Sequence, residues 1–326
     1  MSDKSDKTFR FDNFLLESMS DNFGARSAKP GQPYLPGMHP FGSFDWWLTA
    51  GCYALLDAKR PTDPVVTPLT DVLELLDFSR ILTRADTGNV WVGFASDDYG
   101  RVKEAFHRLR TVEFPIRGEW KVVPGKGKGK PRRRYVEYYT GILSYFGYHY
   151  PPGVIPPDQL PEPKRKNVNR ALTTDNEPGP AIFVRVEGPR PEAVEFQMSD
   201  VVVRALTGAG DHIGATTFPV KVFELRRPLA NNFTGVKLLF WTCRQTKKNP
   251  ATGLDRLLRR LKLYDPKGRN TQRTRDDALD ALAILRDLGV IESFNHDPAT
   301  DKLVVVKGDD WHFPSQKEDE LGILED

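Results

Sequence analysis

The sequence predicts an α+β protein with two winged-helix domains in tandem, each being three short helices followed by a β-hairpin, a relative of the helix-turn-helix. Three observations carry this. Two pairs of segments repeat one apolar template in the same order. Aromatic and β-branched stretches bracket Gly-rich turns, as hairpins require. The chain has 326 residues, enough for about two domains on the usual prior of roughly 150 residues each.

The template is read directly. In LTDVLELLDF the apolar positions are Leu69, Val72, Leu73, Leu76 and Phe78; in LDRLLRRLKL they are Leu254, Leu257, Leu258, Leu261 and Leu263, at the same intervals. Downstream, Val102, Phe106, Leu109 and Val112 are matched by Ala278, Leu282, Leu285 and Leu288. Any amphipathic helix repeats at three and four residues. The weight therefore lies in two ordered matches, each preceded by an apolar helix and followed by a β-like segment.

The elements follow in order. Residues 1–40 are polar and then Pro- and Gly-rich, and read as a flexible N-terminal arm in which Phe9–Leu16 can dock as a single turn or strand. The first domain spans 41–210. Phe44, Trp47, Leu48, Gly51 and Leu55 recur at helical spacing. Thr67-Pro68 reads as an N-cap and first helical position. RILTRADTGNVWVGF reads as a hairpin around Asp86–Asn89, and a third helix starts near Ser96 or Asp97. VEFPIRGEWKVV and RYVEYYTGILSYFGYHY then flank PGKGKGKPRRR, a longer hairpin that reads as the wing.

Residues 151–181 hold eight prolines and no aromatic residue, and read as an insert or linker. IFVRVE and AVEFQMSD are strand-like, and VVVRAL is a short helix or strand. The second domain spans 211–308: TTFPVKVFELRRPL and GVKLLFWTCRQ look helical, followed by LDRLLRRLKL, TRDDALDALAILRDLG and a strand, KLVVVKG.

Charge is unevenly placed. The net charge is only +3, but residues 309–326 form an acidic C-terminal tail with seven carboxylates against a single cation, Lys317. The rest of the chain therefore carries +9. A basic body with an acidic tail is a layout that nucleic-acid binders use. The tail is expected to compete with DNA for the basic surfaces.

Three segments are candidates for DNA contact. The loop Pro124–Arg134 carries Lys126, Lys128, Lys130, Arg132, Arg133 and Arg134, with no acid from Lys121 to Arg134. Unpaired cations resist burial, and flexible glycines let them follow a phosphate track and release counterions. The helix near 98–110 offers Arg101, Lys103, His107, Arg108 and Arg110, side chains able to grip phosphate or guanine edges. Arg269, Asn270, Gln272, Arg273 and Arg275 lie immediately before the third helix of the second unit, whose capping-box-like start is Thr274 with Asp277, where helix-turn-helix proteins read the major groove. Asp276, Asp277 and Asp280 follow in the next turn; they complement the helix dipole but repel phosphate.

Enzyme chemistry is not expected. GKGKGK lacks the spacing of an NTPase phosphate loop. The six histidines (39, 107, 149, 212, 296 and 312) are scattered, with no His-x-His for a metal-dependent nickase. Pro157-Asp158 with Glu162 and Lys164 is too compact and proline-rich to hold a nuclease metal. No catalytic residue, metal or cofactor is assigned. Cys52 and Cys243 make no disulfide framework. No apolar run approaches the roughly 18 residues of a membrane span, and MSDKSDKTFRF is unlike a signal peptide, so a cytoplasmic protein without membrane contact is expected.

With FDWWLTAGCYALLD, LTDVLELLDF, RVKEAFHRLR and a long hairpin followed by LDRLLRRLKL and RDDALDALAILRDLGVIESF, the chain resembles the tandem winged-helix replication initiators of plasmids, the Rep and TrfA-like family. The turn Leu285–Ile291 looks like that family's end of the second recognition helix. The resemblance covers roughly 41–308 and departs from the family at 151–181, at the acidic 276–280 turn and in the tail. It implies binding to repeats of double-stranded DNA at an origin, a dimer–monomer switch in a homodimer, and recruitment of host replication factors and helicase. The alternatives are a winged-helix transcriptional regulator and a protein-interaction scaffold that does not bind DNA.

Overall fold

The structure, a computed structural model, describes residues 7–24, 41–84, 90–123, 132–152, 191–204, 206–207, 214–264 and 271–311. The expected flexible arm is partly corrected at once. β1 (Thr8–Asp12) and α1 (Asn13–Asn22) are regular elements. Phe9, Phe11, Leu15, Leu16, Met19 and Phe23 are buried. The Phe9–Leu16 run does dock, and α1 continues it by burying one helical face. Residues 1–6 and 25–40 lie outside the described residues.

The first unit begins with α2 (Ser43–Leu55), buried along nearly its whole length. Its first turn is fixed by Asp45, whose Oδ2 accepts the Gly42 N–H at 2.6 Å. Next comes β2 (Val65–Pro68), then α3 (Leu69–Leu75). The helix expected to open at Thr67-Pro68 thus starts one step later, because Thr67 and Pro68 pair with Val194 and Ala193. Proline, which cannot donate to a ladder, is tolerated because β2 is an edge strand. The small hairpin of β3 (Ile81–Arg84) and β4 (Val90–Gly93) stands where the sequence places it, and its tip, 85–89, is outside the described residues. α4 (Ser96–Thr111) buries Val102, Ala105, Phe106 and Leu109.

The hairpin after α4 differs from expectation. β5 (Phe114–Val123) pairs with β6 (Arg132–Thr140) alone, as a two-stranded ribbon. The chain then breaks at Gly141 and enters β7 (Leu143–His149), which pairs with β8 (Ala193–Met198). A Cβ on residue 141 would meet the Arg110 carbonyl oxygen at 2.8 Å, so glycine lets the strand pass the end of α4. The sheet of this unit has the order β2-β8-β7. VVVRAL is a series of turns over 201–204, anchored by the Tyr53 hydroxyl donating to the Val202 carbonyl.

β9 (Ala215–Pro219) and a 3-10 turn, Val220–Leu225, replace the helix expected from TTFPVKVFELRRPL. The reason is a partner far away in sequence: β9 pairs antiparallel with β1, Phe9 opposite Phe218 and Phe11 opposite Thr216. The second unit then runs α5 (Phe233–Arg244), β10 (Ala251–Gly253), α6 (Leu254–Arg260), α7 (Thr271–Asp287), β11 (Ile291–Asp297) and β12 (Lys302–Lys307). Its sheet order is β10-β12-β11.

Apart from the β3–β4 hairpin and the β5–β6 ribbon that the first unit adds, both units follow helix, strand, helix, helix, strand, strand, with the last strand central in the sheet. The likeness reaches the backbone. α3 ends with Asp77 at φ 55° and α6 with Lys262 at φ 51°. Phe78 N–H donates to Leu73 O, as Leu263 N–H does to Leu258 O, both at 2.9 Å. These are Schellman-type endings, closed in each case by the apolar residue that the repeat matches. One continuous core joins the units: Phe11 stacks on Tyr53 at 4.2 Å, and Trp46 meets Phe240 edge-on at 5.1 Å.

Candidate nucleic-acid interface

In a winged helix the third helix and the hairpin after it face DNA; the corresponding elements are α4 with β7–β8 and α7 with β11–β12. The inner face of α7 is Ala278, Ala281, Leu282 and Leu285. That stripe holds the helix against α5 and leaves Gln272 and Arg273 exposed at its N-terminal turn. The Gln272 amide donates to Asp276 Oδ1 at 2.9 Å, so one of the acids that would repel phosphate is already engaged. Arg269 and Asn270 lie outside the described residues.

Arg275 is turned to a different use. Its Nε donates to Asp255 Oδ1 at 2.6 Å and its Nη2 to Asp301 Oδ1 at 3.1 Å. The Tyr264 hydroxyl also donates to Asp255, and Asp301 Oδ2 accepts the Asp255 N–H at 3.0 Å. The Tyr264 hydroxyl and then the Arg275 guanidinium hold the Asp255 carboxyl below its ordinary value. This network ties the N-terminal part of α7 to α6 and to the turn between β11 and β12. Arg275 thus anchors the N-terminal part of α7, which carries Gln272 and Arg273.

The first unit is arranged unlike the second. The first turn of α4 is acidic, with Asp97 and Asp98, and its cations sit further along. Arg101 is exposed, with its guanidinium 4.6 Å from the Phe44 ring centroid. Lys103 lies 5.1 Å from the Tyr148 ring and 3.5 Å from the Tyr150 hydroxyl, leaning on the wing strand β7. His107 is exposed and meets Phe146 edge-on at 6.3 Å, and Arg110 is exposed in the last turn. Arg108 is turned inward: its Nε and Nη2 donate to Asp45 Oδ1 at 3.0 and 2.8 Å. Asp45 is fully buried, and burial pushes its carboxyl up despite the guanidinium.

The wing of the first unit is likewise relocated. By sheet order it is β7–β8, whose connection is residues 150–192, containing the Pro-rich 151–181 segment; 153–190 lie outside the described residues. Its strands carry a cross-strand cluster in which Tyr145 Oη donates to Glu195 Oε1 at 2.5 Å and His149 Nε2 lies 2.9 Å from Oε2. The lysine- and arginine-rich loop instead tips the separate β5–β6 ribbon. Lys126, Lys128 and Lys130 lie outside the described residues, while Arg132, Arg133 and Arg134 open β6 opposite Val123, Val122 and Lys121. The wing turn of the second unit, by contrast, is acidic: Asp297 accepts from Ala299 N–H and the Thr300 hydroxyl.

Sequence reasoning missed Asp45, Asp255 and Asp301, the carboxylates that claim two of its candidate arginines. No local signal marks them, since each partner is distant in the chain.

No helix among the described residues is long and apolar enough to cross a membrane. Among those residues no group of three or more His, Cys, Asp or Glu is placed to hold a metal ion.

No protein-family model matches the chain, and no curated protein is significantly similar to it. Among solved structures, the chain is similar to the Pi initiator protein in complex with iteron DNA, with a TM-score of 0.49 and 13% identity over 93% of this chain and 98% of that one. It is also similar to RctB domains 2–3, with a TM-score of 0.40 and 11% identity over 83% of this chain and 84% of that one. A second structure of RctB domains 2 and 3 gives 0.42 and 10% identity over 82% and 83%.

Proposed function

We propose that this protein is a sequence-specific duplex-DNA-binding replication initiator that engages repeated sequences at an origin through its two winged-helix units. The observation that carries the reading is the duplicated topology, β2-β8-β7 and β10-β12-β11, with an exposed third helix in each unit. Gln272 and Arg273 stand where base edges are read; Arg101, Lys103, His107 and Arg110, with the β5–β6 loop, supply phosphate contacts. In this reading the second unit is the main reader of bases, because its third helix opens without acid in the first turn, whereas that of the first unit does not. The family resemblance of the sequence extends the proposal to host replication factors, helicase and a homodimer as partners, in a bacterial cytoplasm.

A footprint of the purified protein on DNA flanking its own gene tests the core of this, with protected direct repeats as the expected result. Arg273→Ala and Gln272→Ala should each cost about 1–3 kcal/mol of specific binding and relax preference at single positions. Alanine at Lys126, Lys128, Lys130 and Arg132–Arg134 should lower affinity uniformly and flatten the salt dependence; unchanged affinity and slope would remove the loop from the interface. Replication of an otherwise origin-less plasmid carrying the gene and its flanks separates an initiator from a transcriptional regulator. A protein that binds no duplex at low salt would be an interaction scaffold.

A further inference from the structure

We propose that the recess enclosed by α1, α2, α5 and α6 binds a small diphosphate-bearing ligand, which ties the N-terminal helix to the second winged-helix unit. The recess has a volume of about 300 Å³, at the lower end of small-molecule sites and too small to admit a duplex. Its walls bring together five cations from two elements and the turn after them: Lys237 and Arg244 on α5, Arg259 and Arg260 on α6, and Lys262 just beyond. Among the described residues that line it, two carboxylates answer them, Glu17 and Asp21 of α1.

Glu17 is already used as a bridge. Its Oε1 accepts Arg244 Nη2 at 2.6 Å and lies 3.5 Å from Arg260. Asp21 acts on Lys237, and the remaining excess is on Arg259 and Lys262 and on the Arg244–Arg260 pair, which shares the single Glu17 carboxylate. Cations at the end of α6 complement its dipole, which accounts for the two exposed ones. It does not account for Lys237, which is 2% exposed and donates to Ser20 O at 3.0 Å and Leu261 O at 2.7 Å. Its Nζ also lies 5.0 Å from the Phe233 ring centroid, so two carbonyls and a ring face already hold this ammonium at the wall of the recess. The indole N–H of Trp46, another wall residue, is buried and has no acceptor among the described residues. A buried indole N–H without an acceptor is costly.

Each phosphoryl group brings roughly −1.5 to −2 charges and several acceptor oxygens, so a diphosphate matches the excess in both sign and size. Its occupant would touch α1, whose last residue donates from Asn22 Nδ2 to Pro115 O of β5 at 3.2 Å, and the turn that leads into α7. The site is distinct from the DNA surfaces above and stands whether or not they bind DNA.

The test titrates inorganic pyrophosphate into the full-length protein without DNA, following tryptophan fluorescence because Trp46 and Trp241 line the recess, with sulfate at equal ionic strength as the control. Saturable one-to-one binding is expected, weakened at least about tenfold by Arg259→Ala with Lys262→Ala, both exposed positions. Arg273→Ala and saturating duplex should leave it unchanged. No saturable binding by about 1 mM, equal response to sulfate, or an unaffected double variant overturns the proposal. So does loss of binding with Arg273→Ala or with duplex, which would move the anion to a DNA surface. A urea midpoint for the double variant equal to that of the parent shows that the fold is retained.

Discussion

Arg108 and Arg275 look, in sequence, like their basic neighbours, yet each is held by carboxylates of its own chain. For Arg108 the partner is fully buried, so removing it leaves a mostly buried guanidinium with only the exposed Glu104 at 3.8 Å. Asp45→Ala is expected to cost about 3–5 kcal/mol, seen as a lower urea midpoint at unchanged m-value. Lys237 gives a second residue-scale test. Burial lowers its pKa from the ordinary 10.5 to about 8. The folded protein then loses this proton before the unfolded chain does, so the unfolded state binds more protons between those values and stability rises with pH there. The rise is about 3 kcal/mol across the window, at about 1.36 kcal/mol per unit. Lys237→Met should lack it, and parallel stability curves for parent and variant from about pH 7.5 to 10 would count against a buried, charged Lys237.

The helices α2 to α7 were legible as elements because their signal is local. The apolar intervals that matched α3 to α6 and α4 to α7 are set by about 3.6 residues per turn, whatever surrounds them. Strands carry their signal in their partners. β9 reads as a helix in sequence since β1 lies some two hundred positions earlier, and the first wing is hidden because its strands are separated by a long insert. The close of the second unit joins both kinds of signal. Gly289, in the Leu285–Ile291 turn, has φ 74°, and Gly308 packs so closely that a Cβ would meet the Gly289 carbonyl oxygen at 2.6 Å. Gly308→Ala must push one backbone off the other and should destabilise the second wing by about 1–3 kcal/mol. Earlier hydrogen exchange of β11 and β12 amides than of α5 amides would show that the loss is local.

Across the molecule, the units share one core through the N-terminal segment. Phe11 contacts Tyr53 of the first unit and Phe240 of the second. Phe11→Ala should cost about 3–5 kcal/mol and weaken both units together. The parent should unfold in a single transition by probes in either unit, and two separated transitions would show that the core is not shared. The acidic tail also changes at this scale. Its first residues are docked rather than free: Asp309 lies 2.5 Å from Lys248 and Asp310 3.0 Å from Lys221, and Trp311 is buried. Residues 312–326, which carry the remaining acid, lie outside the described residues.

The sequence by itself determined α2 to α7, their duplication and the surplus of positive charge over 1–308, because spacing and composition act over a few residues. Tertiary structure alone decided that the N-terminal segment belongs to the core and that β7–β8 is the first wing. It also decided that Arg108 and Arg275 serve the fold. Each of those outcomes depends on which distant carboxylate, strand or ring a group meets, and only folding of the whole chain sets that distance.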